Sequence, residues 1–142
     1  MFYRIGHWLQ CKHVPVLPKL ITLSIRFGFS CYLPSTARIG KNVVFGYGGL
    51  GVVIHGRAVI GEGCHIGQNV TIGGTSKKYN VPMLGNNVYV GAGAKILGPI
   101  TIGDDVVIGA NAVVLRDIPA QSLVVGVPAR VIKSGIRKAD YI

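Results

Sequence analysis

The sequence predicts a mainly β solenoid of short parallel strands, with a pair of helices at its N-terminal end. Three observations lead there. From Ile54 to Val114 an aliphatic side chain returns every six residues, at Ile54, Ile60, Ile66, Ile72, Leu84, Val90, Ile96, Ile102, Ile108 and Val114, with Lys78 the exception. The residue after the mark is often glycine, as at Gly61, Gly67, Gly73, Gly85, Gly91, Gly103 and Gly109. Four residues after the mark a small or β-branched side chain recurs, as in Ala58, Cys64, Val70, Val88, Ala94, Val106 and Ala112. A helix stripe repeats at about 3.6 residues and an ordinary strand at about 2, so this period fits neither. It fits short strands joined by turns, with glycine relieving Cβ strain and the aliphatic side chain pointing inward.

Residues 3–13 and 16–29 have helical apolar spacing and are separated by the Pro15–Pro18 region, so residues 1–34 form a helical cap over one open end. Lys12, Lys19 and Arg26 mark wetter sides, and a basic amphipathic contact with a membrane is the second reading of this segment. Repeats begin at Ile39 and Phe45, and three extra residues within Gly46–Gly51 then displace the register. That run matches G-x-G-x-x-G, but a strand repeat and not a helix follows it, which excludes a dinucleotide fingerprint. It reads instead as a glycine loop beside the active site, with Tyr47 as its useful side chain. A second excursion, residues 74–83, replaces one turn between Ile72 and Leu84 and stands off a corner. The solenoid spans 35–133, Gly126–Arg130 closes its last coil, and 134–142 is a tail, a short helix or disordered.

The 142 residues suit one domain, with a formal charge of +10 and no acidic residue before Glu62. Such a balance suits anionic ligands: phosphates, acidic glycans or a phospholipid surface. Nucleic acid is not expected, since no recognition motif is present and aromatics are not interleaved with the cations. Three unpatterned cysteines, no signal-peptide pattern, and an apolar stretch interrupted by Lys19 and Arg26 predict a cytoplasmic chain without a spanning helix. Cys64 reads as core filler.

The segments IGQNVTIGGT (66–75), VYVGAGAKILGPITIGDDVVIGANAVV (88–114) and GVPARVIK (126–133) resemble the hexapeptide-repeat, left-handed β-helix acyltransferases. The likeness is greatest to the serine acetyltransferase branch and its exopolysaccharide O-acetyltransferase relatives. It implies a triangular solenoid of eighteen residues per coil. Ile54, Ile72, Ile96 and Val114 then stack in one row, Ile60, Leu84 and Ile102 in a second, and Ile66, Val90 and Ile108 in a third. It further implies acetyl-CoA as co-substrate, no metal, and a homotrimer whose sites lie between subunits.

Acetyl transfer from a thioester to a hydroxyl needs a base and an oxyanion donor. Of the four histidines, His7 and His13 fall in the cap, while His55 follows Ile54 at a corner and is the expected base, with His65 the alternative. The register places His55 beside Gly74, Thr75 and the 74–83 loop, with a backbone carbonyl as the expected partner of its second nitrogen. The resemblance carries the coenzyme A groove onto Gly74, Thr75, Ala92 and Ala110. Lys77, Lys78, Lys95, Arg130 and Lys133 are the expected phosphate cations. Tyr47 and Tyr79 are candidate acceptor contacts. In serine acetyltransferases the catalytic histidine lies in an Asp-His-x-x-Gly segment, where this chain has Gly46–Gly51. The paired aspartate falls at Tyr32 and a second histidine at Val81. These departures favour a sugar hydroxyl in capsule, exopolysaccharide or lipopolysaccharide synthesis as acceptor, with serine the alternative. A γ-carbonic-anhydrase-like metal protein is the remote alternative, since it needs three converging imidazoles.

Overall fold

The computed structural model describes residues 2–142 and is a parallel β-helix of three faces. Its strands are numbered in chain order. Face I contains β1 (Arg38–Ile39), β4 (Val59–Ile60), β7 (Met83–Leu84) and β10 (Thr101–Ile102). Face II contains β2 (Val44–Phe45), β5 (His65–Ile66), β8 (Tyr89–Val90), β11 (Val107–Ile108), β13 (Ser122–Gly126) and β14 (Ala129–Ser134). Face III contains β3 (Val53–Ile54), β6 (Thr71–Gly73), β9 (Lys95–Leu97) and β12 (Val113–Val114).

The six-residue marks stack in the expected rows. Ile54 pairs Ile72, Ile72 pairs Ile96 and Ile96 pairs Val114. Ile60–Leu84–Ile102 and Ile66–Val90–Ile108 do the same on faces I and II. Ile54, Ile66, Ile72, Ile96, Ile102 and Ile108 are wholly buried, each contributing about 1.5–3 kcal/mol of apolar burial.

The glycines act differently from the expectation. At the corners leaving faces I and II they serve close stacking. A Cβ on Gly61 would lie 2.3 Å from the Gly85 carbonyl oxygen, and one on Gly91 would lie 2.6 Å from the Ala110 nitrogen. The left-handed residues fall two positions later, at Gly63, Asn69, Asn87, Gly93, Asp105 and Asn111, with φ of 65, 57, 55, 73, 54 and 56°. Asn and Asp enter that region more readily than other side chains. The corner leaving face III lacks the close-stacked glycine, and its left-handed residue, Gly98, stands one position earlier. His55, Gly73, Leu97 and Leu115 follow the marks there, and a Cβ on Gly73 would meet Leu97 Cδ2 at 3.5 Å and Thr71 Cγ2 at 3.7 Å, both side-chain methyls.

Helices α1 (Phe2–Cys11) and α2 (Leu17–Phe29) pack on one another and bind the first coil. The Tyr3 hydroxyl donates to the Ala37 carbonyl, and burial pushes its pKa up to about 12. Arg4 Nη2 donates to the Gly40 carbonyl at 2.6 Å, and His7 Nδ1 donates to the Ser35 carbonyl at 2.8 Å. His7 is therefore half-buried and engaged, while His13 is exposed.

At the far end the chain reverses, and β14 runs antiparallel to β13. Strand β14 reaches Ser134, beyond the expected end of the solenoid. The tail then folds back: Ile136 is buried, a 3-10 turn forms at Lys138–Asp140, and Lys138 Nζ donates to the Gly63 carbonyl at 2.6 Å.

Candidate active site

The chemistry-bearing residues gather at the two edges of face III. One edge is the corner that leaves it. The backbone N–H of His55 donates to the Ile72 carbonyl at 2.8 Å, which fixes the corner one coil from Gly73. A Cβ on Gly74 would stand 3.9 Å from His55 Cδ2 and 3.1 Å from Val81 Cγ1. The bare glycine lets the half-buried imidazole lie against the loop backbone. Thr75 is exposed and faces Gly98, whose φ of 99° suits glycine.

His55 has a different partner from the expected carbonyl. Its Nδ1 accepts the backbone N–H of Arg57 at 3.1 Å. In the neutral ring the proton then resides on Nε2, so the imidazole presents a donor to its surroundings.

Arg57 is the residue that sequence reasoning missed. Its Nη2 donates to the Tyr79 carbonyl at 2.6 Å, and its guanidinium stands 4.2 Å from the centre of the Tyr79 ring. Val81 is buried beneath the same loop. Arg57 therefore clamps the loop from outside and Val81 anchors it from inside. A cation two residues after a corner histidine, one coil from an aromatic loop, was the available signal. Lys77 and Lys78 project from this loop and are exposed.

The other edge is the corner entering face III. Gly67 lies under the Ala92 nitrogen and Gly91 under the Ala110 nitrogen, so the two alanines form one column. The Asn111 N–H donates to the Ala92 carbonyl at 2.9 Å, closing that stack. Lys95, outward on β9, bends to this side and donates to the Asn69 carbonyl at 2.6 Å. Arg130 is exposed on β14 opposite Val125, whose side chain packs at Gly109. Lys133 lies three residues on, opposite Leu123.

The glycine loop belongs to this second edge. It forms a 3-10 turn at Gly46–Gly49, with Tyr47 in the left-handed region at φ 49° and 82% exposed. Strand β3 (Val53–Ile54) lies between this loop and His55, which stands at the opposite edge of face III. His65 points outward from face II and rests on the Tyr89 ring, with centroids 5.3 Å apart. His55 and His65 thus lie on different faces, and among the described residues no three His, Cys, Asp or Glu converge as a metal site.

Residues 82–116 match the family model described as bacterial transferase hexapeptide (six repeats), and residues 57–76 match the hexapeptide repeat of succinyl-transferase. The chain is 46% identical to the serine acetyltransferase of Synechococcus elongatus over 138 residues, covering 95% of this chain and 56% of that protein. A Brucella abortus serine acetyltransferase solved with coenzyme A superposes with a TM-score of 0.90 at 33% identity, over 95% of this chain and 55% of the other. A soybean serine acetyltransferase solved with serine gives 0.87 at 38% identity, over 92% of this chain and 54% of the other. The chain spans about half the length of the curated relatives it matches. It is a hexapeptide-repeat, left-handed β-helix protein of the serine acetyltransferase-like kind.

Proposed function

We propose that this β-helix transfers an acetyl group from acetyl-CoA to a hydroxyl in a groove completed between two copies of the chain. The observation that carries the reading is the division of the site between the two edges of face III. His55, Gly74, Thr75 and Lys77 stand at one edge, and Ala92, Lys95 and Ala110 at the other. In a closed trimer each chain sets one edge against the opposite edge of its neighbour. The small-residue column Ala92–Ala110 then offers a bare wall for the pantetheine arm. Lys95, Arg130, Lys133 and Lys77 supply cations for the phosphates, and Tyr47 and Tyr79 reach toward the acceptor from the two sides.

In the reaction the acceptor oxygen loses its proton and bonds to the acetyl carbon. The carbon–sulfur bond breaks, and the thiolate of coenzyme A takes up a proton. His55 is the histidine we assign to this proton traffic. With Nδ1 accepting from Arg57, its Nε2–H serves the oxyanion or the departing thiolate. To act as base at Nε2 it must release the Arg57 N–H, a cost of about 1 kcal/mol. His65 is the alternative base. The cellular setting we infer is the cytoplasm.

L-serine is the acceptor that the relatives support, and they favour it over the sugar hydroxyl expected from the sequence. One observation keeps the glycan reading as the second. By the sequence resemblance, Tyr32, the Gly46–Gly51 turn and Val81 stand where the serine enzymes carry acid–base and substrate-holding residues, and Val81 is buried.

Thiol release from acetyl-CoA, measured with L-serine and with a panel of sugars, separates the two acceptors. His55→Ala is expected to lower kcat/KM by roughly 100-fold or more. Mixing His55→Ala with Ala110→Trp, which blocks the opposite edge, is expected to restore part of the activity, since some mixed sites are then wholly native. Mixtures that stay dead while each variant retains its fold and oligomeric state would overturn the shared groove.

A further inference from the structure

Both cap helices carry a second apolar face that covers nothing. The inner face of α1 holds Tyr3 and Gly6, and that of α2 holds Pro18 and Ile25, all buried. On the opposite side, Ile5 and Trp8 of α1 are 46% and 59% exposed, and Leu20, Leu23 and Phe27 of α2 are 52%, 46% and 78% exposed. A helix that merely closed a solenoid end would turn polar side chains to water. These turn leucine, isoleucine and aromatics outward from two helices that pack on one another. Such patches mark an interaction surface.

The charge around the patch selects its occupant. Lys19 and Arg26, seven residues apart, flank the α2 stripe, and Lys12 ends α1. All three are exposed, and no acidic residue precedes Glu62 anywhere in the chain. A second copy docking by the same face would bring two cationic rims together without a carboxylate between them. An anionic surface meets no such penalty. No described helix is long and apolar enough to cross a membrane, so the pair lies along the surface.

We propose that the α1–α2 pair docks this protein on an anionic lipid bilayer. Ile5, Trp8, Leu20, Leu23 and Phe27 enter the headgroup–acyl boundary, and Lys12, Lys19 and Arg26 contact lipid phosphates. The proposal does not depend on which acceptor is used.

The test uses the full chain with vesicles of phosphatidylcholine alone and of phosphatidylcholine with phosphatidylglycerol. Trp8 is the only tryptophan, so its emission reports on this patch alone. The protein is expected to co-sediment with the anionic vesicles, with a blue shift of Trp8 that high salt reverses. Lys19→Glu with Arg26→Glu is expected to weaken partitioning by roughly 30-fold or more, at about fivefold per cation. Leu23→Ser with Phe27→Ser alters only exposed positions and is expected to abolish the shift while the fold persists. Absence of binding to the anionic vesicles would overturn the proposal. So would a blue shift that follows protein concentration without lipid, which would assign the patch to a second copy, or equal binding to both vesicle types.

Discussion

The corners of the β-helix are built by two different rules. Where the chain leaves faces I and II, successive coils touch backbone to backbone, and Gly61 and Gly91 leave no room for a Cβ. Where it leaves face III, the same position holds His55, Gly73, Leu97 and Leu115, and the space around Gly73 is ordinary van der Waals spacing. The tight corners make the coil repeat. The loose corner is where an imidazole can lie flat against a glycine and where a loop can leave the stack. The rigid part and the chemical part of this protein therefore differ in how closely successive coils approach at one position of the hexad.

The largest effect should come from adding a methyl group at each kind of corner. Gly61→Ala drives a Cβ into the Gly85 carbonyl and is expected to cost about 3 kcal/mol or more, or to prevent folding. Gly73→Ala meets only a leucine and a threonine methyl at ordinary contact distance and is expected to stay within about 0.5 kcal/mol. Thermal melts of the pair decide it, and equal losses would break the distinction. Next, Ile72→Ala removes a wholly buried side chain shared by three coils and is expected to cost about 2–5 kcal/mol in denaturant titrations.

A smaller effect on stability, and a larger one on turnover, is expected at Arg57. Arg57→Ala removes the clamp on Tyr79 and is expected to change stability by less than about 1 kcal/mol, since the contact is exposed. The 74–83 loop should then be cut faster by limited proteolysis, and turnover should fall roughly tenfold as the loop loses its position beside His55. Unchanged loop protection would show that Val81 alone holds the loop.

Much of the architecture was legible because its signal is periodic. A mark every six residues specifies which aliphatics share a row, and the twelve-residue gap from Ile72 to Leu84 marks where the repeat is interrupted. The reason for the glycines was not legible, since close approach and a left-handed turn select the same residue. The recurrence of Asn and Asp three after the mark, at Asn69, Asn87, Asp105 and Asn111, was the clue that separates them. The candidate site was legible only on its backbone side. Register puts His55 beside Gly74, but no spacing rule says that Arg57 donates its N–H to Nδ1. Nor does chain proximity reveal that β3 intervenes between Tyr47 and His55. Side-chain direction and the far edge of a face are tertiary facts.

The finest probe of the tight corners is a thiol. Cys64 occupies the small inward position after Ile60, and its Sγ donates to the Gly85 carbonyl at 3.2 Å, the oxygen that Gly61 makes room for. Burial pushes the thiols of Cys64 and Cys31 above the ordinary cysteine range, whereas Cys11 is exposed on α1. A raised thiol pKa depletes the thiolate that reacts. At neutral pH a disulfide reagent should therefore modify one of the three cysteines quickly and the other two only as the structure opens. Because Cys64 lies against the corner itself, its rate measures how often neighbouring coils part there. Rapid labelling of Cys64 in the folded protein would mean that the close-stacked corner breathes as freely as the loose one, and the rigidity assigned to it would have to come from the buried rows instead.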